Sequence, residues 1–117
     1  MEIKHATAAL AALGQTTRLS VFRLLVEAGP EGLMAGDIAE RLGLPGATLS
    51  FHLKELSNAQ LVEGEQQGRF ICYRADFARM SDLIAFLTQD CCGGKTVAAC
   101  MPAKKRAARP SKVRVAS

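Results

Sequence analysis

Leu19, Phe22, Leu25 and Val26 stand three and four residues apart, the spacing that lines one face of an α-helix, and Gly29-Pro30 stops the run. Thr16 or Thr17 is placed to cap that helix at its start. Ahead of it, residues 4–13 are rich in alanine and carry Leu10 and Leu13, a strong helix former that Gly14 can end. After the Gly29-Pro30-Glu31-Gly32 loop, residues 35–42 predict a short helix closed by Gly43. Beyond Leu44-Pro45-Gly46 the helical period resumes over residues 47–58, with Leu49, Leu53 and Leu56 on one stripe. Two short helices joined by a tight glycine-containing turn describe a helix-turn-helix unit.

The next segment predicts strands. Residues 61–65 and 69–74 flank Gln66-Gln67-Gly68, where the glycine can supply the positive φ that a hairpin turn demands. Asp76 can then cap a last helix whose apolar stripe is Phe77, Met80, Leu83, Ile84 and Leu87, running out near Gln89. The expected fold is mainly α with a small β-hairpin: a winged helix-turn-helix over residues 1–90. No internal repeat interrupts it.

Composition sharpens the division. With 117 residues, 49% of them hydrophobic and 22% charged, the chain is one domain's worth of ordinary globular usage. The formal charge of +4 is unevenly spread. Residues 103–117 hold Lys104, Lys105, Arg106, Arg109, Lys112 and Arg114 without an acid, which leaves nine bases against eleven acids in residues 1–102. Net charge alone therefore does not make the folded body a nucleic-acid binder. Residues 91–102 form a cysteine-containing segment, and residues 103–117 a basic tail whose composition predicts disorder. That tail either adds salt-sensitive phosphate attraction or serves solubility alone. The longest apolar run, residues 8–13, is far too short to span a membrane. A cytoplasmic location is expected, where Cys72, Cys91, Cys92 and Cys100 would stay reduced and favour metal or redox chemistry over a structural disulfide.

In a helix-turn-helix the second helix enters the major groove and offers its outer face to base edges and phosphates. With the leucine stripe inward, that outer face is expected to comprise Ala47, Thr48, Ser50, Phe51, His52 and Lys54. Small residues allow close approach, hydroxyls reach phosphates or bases, Phe51 suits a thymine methyl, and Lys54 a phosphate. Arg69, at the wing turn, is placed for a minor groove or the backbone. A helical pair with an ordinary polar face is the blander reading, and a lone histidine such as His52 is more often packed than base-reading. The wing immediately after the pair favours double-stranded DNA as partner.

Three stretches together resemble the ArsR/SmtB family of metal-responsive repressors: Gly32-Leu33-Met34-Ala35-Gly36-Asp37-Ile38-Ala39-Glu40, then Thr48-Leu49-Ser50-Phe51-His52-Leu53-Lys54-Glu55-Leu56, and finally Leu61-Val62 with Gly68-Arg69-Phe70-Ile71-Cys72-Tyr73. The likeness covers about residues 5–90. It implies a homodimer on a pseudo-palindromic operator, joined through the first and last helices. The apolar stripe of the last helix agrees, since so small a domain offers it little cover.

The resemblance also directs the search for an effector site. Where one arsenic-sensing arrangement carries cysteines near the start of the helix-turn-helix, this chain has Met34 and Gly36. Histidine ligands on the last helix are missing too, because His5 and His52 are the only histidines. Cys91, Cys92 and Cys100, just beyond the last helix, are instead similar to the branch of arsenite repressors with C-terminal cysteines. Soft thiolates favour soft ions, and trivalent arsenic or antimony takes three sulfurs in a pyramid. The expected effector is As(III), with Sb(III), methylarsenite, cadmium or zinc, and thiol oxidation as alternatives. Cys72 is either a further sulfur ligand or a small half-buried apolar residue. No nucleotide loop, cofactor fingerprint or acid-base constellation points to an enzyme.

Overall fold

A computed structural model describes residues 1–90. Its elements run α1 (Ile3–Leu13), α2 (Thr16–Ala28), a 3-10 turn (Gly29–Glu31), β1 (Leu33–Met34), α3 (Ala35–Leu42), α4 (Gly46–Asn58), β2 (Val62–Gln67), β3 (Phe70–Ala75) and α5 (Phe77–Thr88). The architecture is the expected winged helix-turn-helix, with one strand more than the sequence predicted. β3 lies between β1 and β2 in a three-stranded antiparallel sheet. Leu33 pairs with Tyr73 and Met34 with Cys72, so the short β1 ties the entry of α3 to the wing.

Local chemistry explains most boundaries. α2 begins with Gln15, whose side chain accepts from the Arg18 amide at 2.8 Å, so the cap is Gln15 and neither Thr16 nor Thr17. Asp76 caps α5 as expected, its Oδ1 accepting from the Arg79 amide at 2.9 Å. Gly32 is required on two counts. Its φ is +71°, and a Cβ there would collide with the Tyr73 carbonyl where β3 passes.

The core gathers where the helices meet the sheet. Val21, Leu25, Ile38, Leu49, Leu53, Leu56 and Leu61 are its largest fully buried side chains. α1 contributes Ala6, Ala9 and Ala12, three residues apart, so that small side chains let its backbone lie close against its neighbours. In α5 only Leu83 is buried, while Phe77 and Met80 pack partly against the core.

Candidate nucleic-acid interface

The turn between α3 and α4 fixes the reading unit. Gly43 adopts the left-handed conformation, its amide donates to the Glu40 carbonyl at 3.3 Å, and the Leu44 amide donates to Ala39 at 2.9 Å. These bonds close α3 in the Schellman manner and let Pro45 start α4 in a new direction. On α4, Leu49, Leu53 and Leu56 turn inward. Ala47, Thr48, Ser50, Phe51 and Lys54 are exposed on the other side, as the sequence led one to expect.

His52 departs from that expectation. It is only 9% exposed and lies on the inner stripe, three residues after Leu49 and four before Leu56. Arg18 Nη1 approaches His52 Nδ1 at 3.4 Å. A guanidinium only donates, so Nδ1 is the acceptor in this contact. The same Arg18 donates through Nε to the Ala12 carbonyl at 2.8 Å, which clips the end of α1 to α4. The His52 ring also meets Phe51 edge-on, with centroids 5.4 Å apart. His52 therefore supports the reading helix from within, and the i, i+3, i+4, i+7 spacing of Leu49, His52, Leu53 and Leu56 already held that signal.

The wing is a tight hairpin in which Gln67 pairs with Phe70 and Gly68 takes φ +65°. Gln66 Nε2 donates to the Gly68 carbonyl at 2.8 Å, bracing the turn that carries Arg69. Arg69 is exposed, and so is Phe70 beside it at 62%. Phe70 was not singled out from sequence, although an aromatic residue next to a hairpin turn has little core to enter. Glu65 pairs with Arg74 at 3.2 Å near the base of the wing, so that acid is partly neutralised.

Cys72 is buried within the sheet, and its thiol donates to the Glu31 carbonyl at 3.4 Å. That placement fits the small apolar role rather than a ligand. Among the described residues no three or more of His, Cys, Asp and Glu converge to hold a metal ion. Cys91, Cys92 and Cys100, and the basic tail, lie outside the described residues. Among the described residues no helix is long and apolar enough to cross a membrane.

Known proteins agree with this geometry. A family model described as a helix-turn-helix domain matches residues 13–65. An ArsR-like transcriptional regulator from Rhodococcus sp. RHA1 superposes with a TM-score of 0.65 over 97% of this chain and 96% of its own, at 24% identity. HlyU from Vibrio cholerae N16961 gives a TM-score of 0.62 at 26% identity, covering 79% of this chain and 99% of its own. The homodimeric winged helix-turn-helix DNA-binding domain of Mb0332 from Mycobacterium bovis, a possible ArsR-family regulator, gives 0.60 at 25% identity over 75% and 82% of the two chains. No curated protein sequence matches the chain. Fold and domain match define the class: a helix-turn-helix domain with a β-wing, the winged-helix fold that it shares with these regulators.

Proposed function

We propose that this protein is an arsenite-responsive repressor: a homodimer that occupies operator DNA and leaves it when Cys91, Cys92 and Cys100 bind As(III) as thiolates. The observation that carries the DNA half is the outward face of α4, where Thr48, Ser50, Phe51 and Lys54 stand exposed with Arg69 on a braced turn nearby. Two copies are needed because one recognition helix reads too few base pairs for operator specificity. Exposed Ile3 and Leu10 on α1 and Leu87 on α5 supply apolar surface for the pairing. The homodimeric state of the similar Mycobacterium bovis domain supports the same reading.

The sensing half rests on sequence: three cysteines, two adjacent and the third eight positions after Cys92, follow the last helix directly. Three thiolates satisfy the pyramidal preference of trivalent arsenic, and Gly93-Gly94 lets Cys100 fold back towards the pair. As(III) shifts the dimer only by binding more tightly to the arrangement with wrongly spaced reading helices. Sb(III) and methylarsenite share that chemistry. Thiol oxidation, in which Cys92 and Cys100 close a disulfide, is the second reading, and one of the similar solved structures is that of reduced HlyU.

The test is a gel shift on DNA selected by the protein from a random-sequence pool, with and without arsenite, for the parent and for Cys91→Ser, Cys92→Ser, Cys100→Ser and Cys72→Ser. Arsenite should weaken binding by the parent about 5- to 150-fold, the usual span for coupled sites. The three C-terminal variants should lose that response and Cys72→Ser should keep it. Equal release by all five proteins would misplace the site. Absence of any selected DNA would remove the repressor reading altogether.

A further inference from the structure

Between α1, the start of α2 and the end of α4 lies a cavity of about 290 Å³ lined by Ala8, Ala11, Ala12, Arg18, Glu55, Asn58 and Ala59. We infer that it is a binding site for a small zwitterion of the α-amino-acid type. Arg18 and Glu55 carry opposite charges and line the same space, yet they form no ion pair with each other. The ion pairs among the described residues are Arg23 with Glu27 and Arg74 with Glu65, both elsewhere. The Glu55 carboxylate and the Asn58 amide have no side-chain partner among the described residues. Arg18 spends two donors, on Ala12 and His52, of the five that a guanidinium owns.

An anion acceptor, a cation acceptor and a neutral amide over an alanine wall match one ligand class. The ligand's carboxylate takes the remaining N–H groups of Arg18, which favour the planar two-oxygen geometry. Its ammonium takes Glu55, and Asn58 accepts or donates to either head group. The small alanine side chains leave room beside the two head groups for the ligand's own side chain, in a cavity at the small end of ligand sites. The site is separate from the pairing surface proposed above. At 100° per residue, Ile3 and Leu10 fall on a different flank of α1 from Ala8, Ala11 and Ala12.

Because Arg18 also holds His52 on the recognition helix, an occupied cavity is joined to the DNA-reading element. This consequence rests on the operator-binding reading; the binding claim does not. The test is thermal unfolding of the full chain at pH 7 with each of the twenty L-amino acids at 10 mM. One or more should raise Tm by at least about 2 °C, the shift expected for a ligand near its Kd on a domain of this size. The matching amine and carboxylic acid alone should give less. Glu55→Gln and Asn58→Leu should unfold near the parent temperature without ligand but lose the shift, and Arg18→Lys should reduce it. No shift from any amino acid, an equal shift from the simple acid, or a shift undiminished in Glu55→Gln would overturn the assignment.

Discussion

The recognition helix α4 and the last helix α5 carry comparable apolar stripes along the chain, and the fold treats them differently. In α4, Leu49, Leu53 and Leu56 are at most 2% exposed, packed by α1, α2, α3 and β2. In α5, Leu83 is buried, but Ile84 and Leu87 are 55% and 57% exposed. An amphipathic stripe states that a face favours burial, not which surface buries it. The protomer completes α4 by itself, which is why the opposite face of α4 is free to meet DNA. α5 retains exposed apolar surface, which the proposed second copy would cover.

Substitutions should separate the two helices. The largest effect is expected at Leu56→Ala, where removal of a fully buried side chain should cost about 2–5 kcal/mol in urea unfolding. A loss under 1 kcal/mol would mean that α4 is not packed as described. At Leu87→Ser the protomer should unfold almost as before, while dimerisation measured by sedimentation equilibrium weakens about tenfold, as loss of roughly 1.5 kcal/mol of burial implies. An unchanged dimer constant would break the contrast between the helices.

A smaller change is expected from Lys54→Ala on the exposed side of α4. Binding to different DNA sequences should weaken uniformly by less than about tenfold near 0.1 M salt, and the slope of log K against log salt should fall by about 1. A loss confined to one base position would instead make Lys54 a base reader. The smallest effect belongs to the frame that orients α4 and α1 together. Gln15→Ala removes the cap of α2 and should cost about 0.5–1 kcal/mol, seen as a modest drop in Tm with DNA selectivity unchanged.

Much of this molecule was legible locally. Residues 35–42 form α3 with the predicted bounds, Gly43 closes it in the left-handed conformation, and Gly68 turns the wing with positive φ. Each follows from spacing or from what glycine alone tolerates. The wing strands run slightly later than expected, Val62–Gln67 and Phe70–Ala75 against 61–65 and 69–74, because a two-residue turn at Gly68-Arg69 extends the pairing to Gln67 and Phe70. β1 escaped notice. Two residues have no period, and Leu33-Met34 becomes a strand only because Tyr73 and Cys72 offer it a free edge.

The sequence by itself determined the order of the five helices and the wing hairpin, the inward leucines of α4, the small outer residues beside Lys54, and the cysteine arithmetic at the C-terminal end, because each depends on near neighbours or residue chemistry. Tertiary structure decided that His52 faces Arg18, 34 residues away, and that Cys72 is sealed against Glu31. It also brought Arg18, Glu55 and Asn58 around one cavity without pairing the charges. Those outcomes turn on which distant segment arrives to satisfy a donor or fill a space, and no local pattern encodes that.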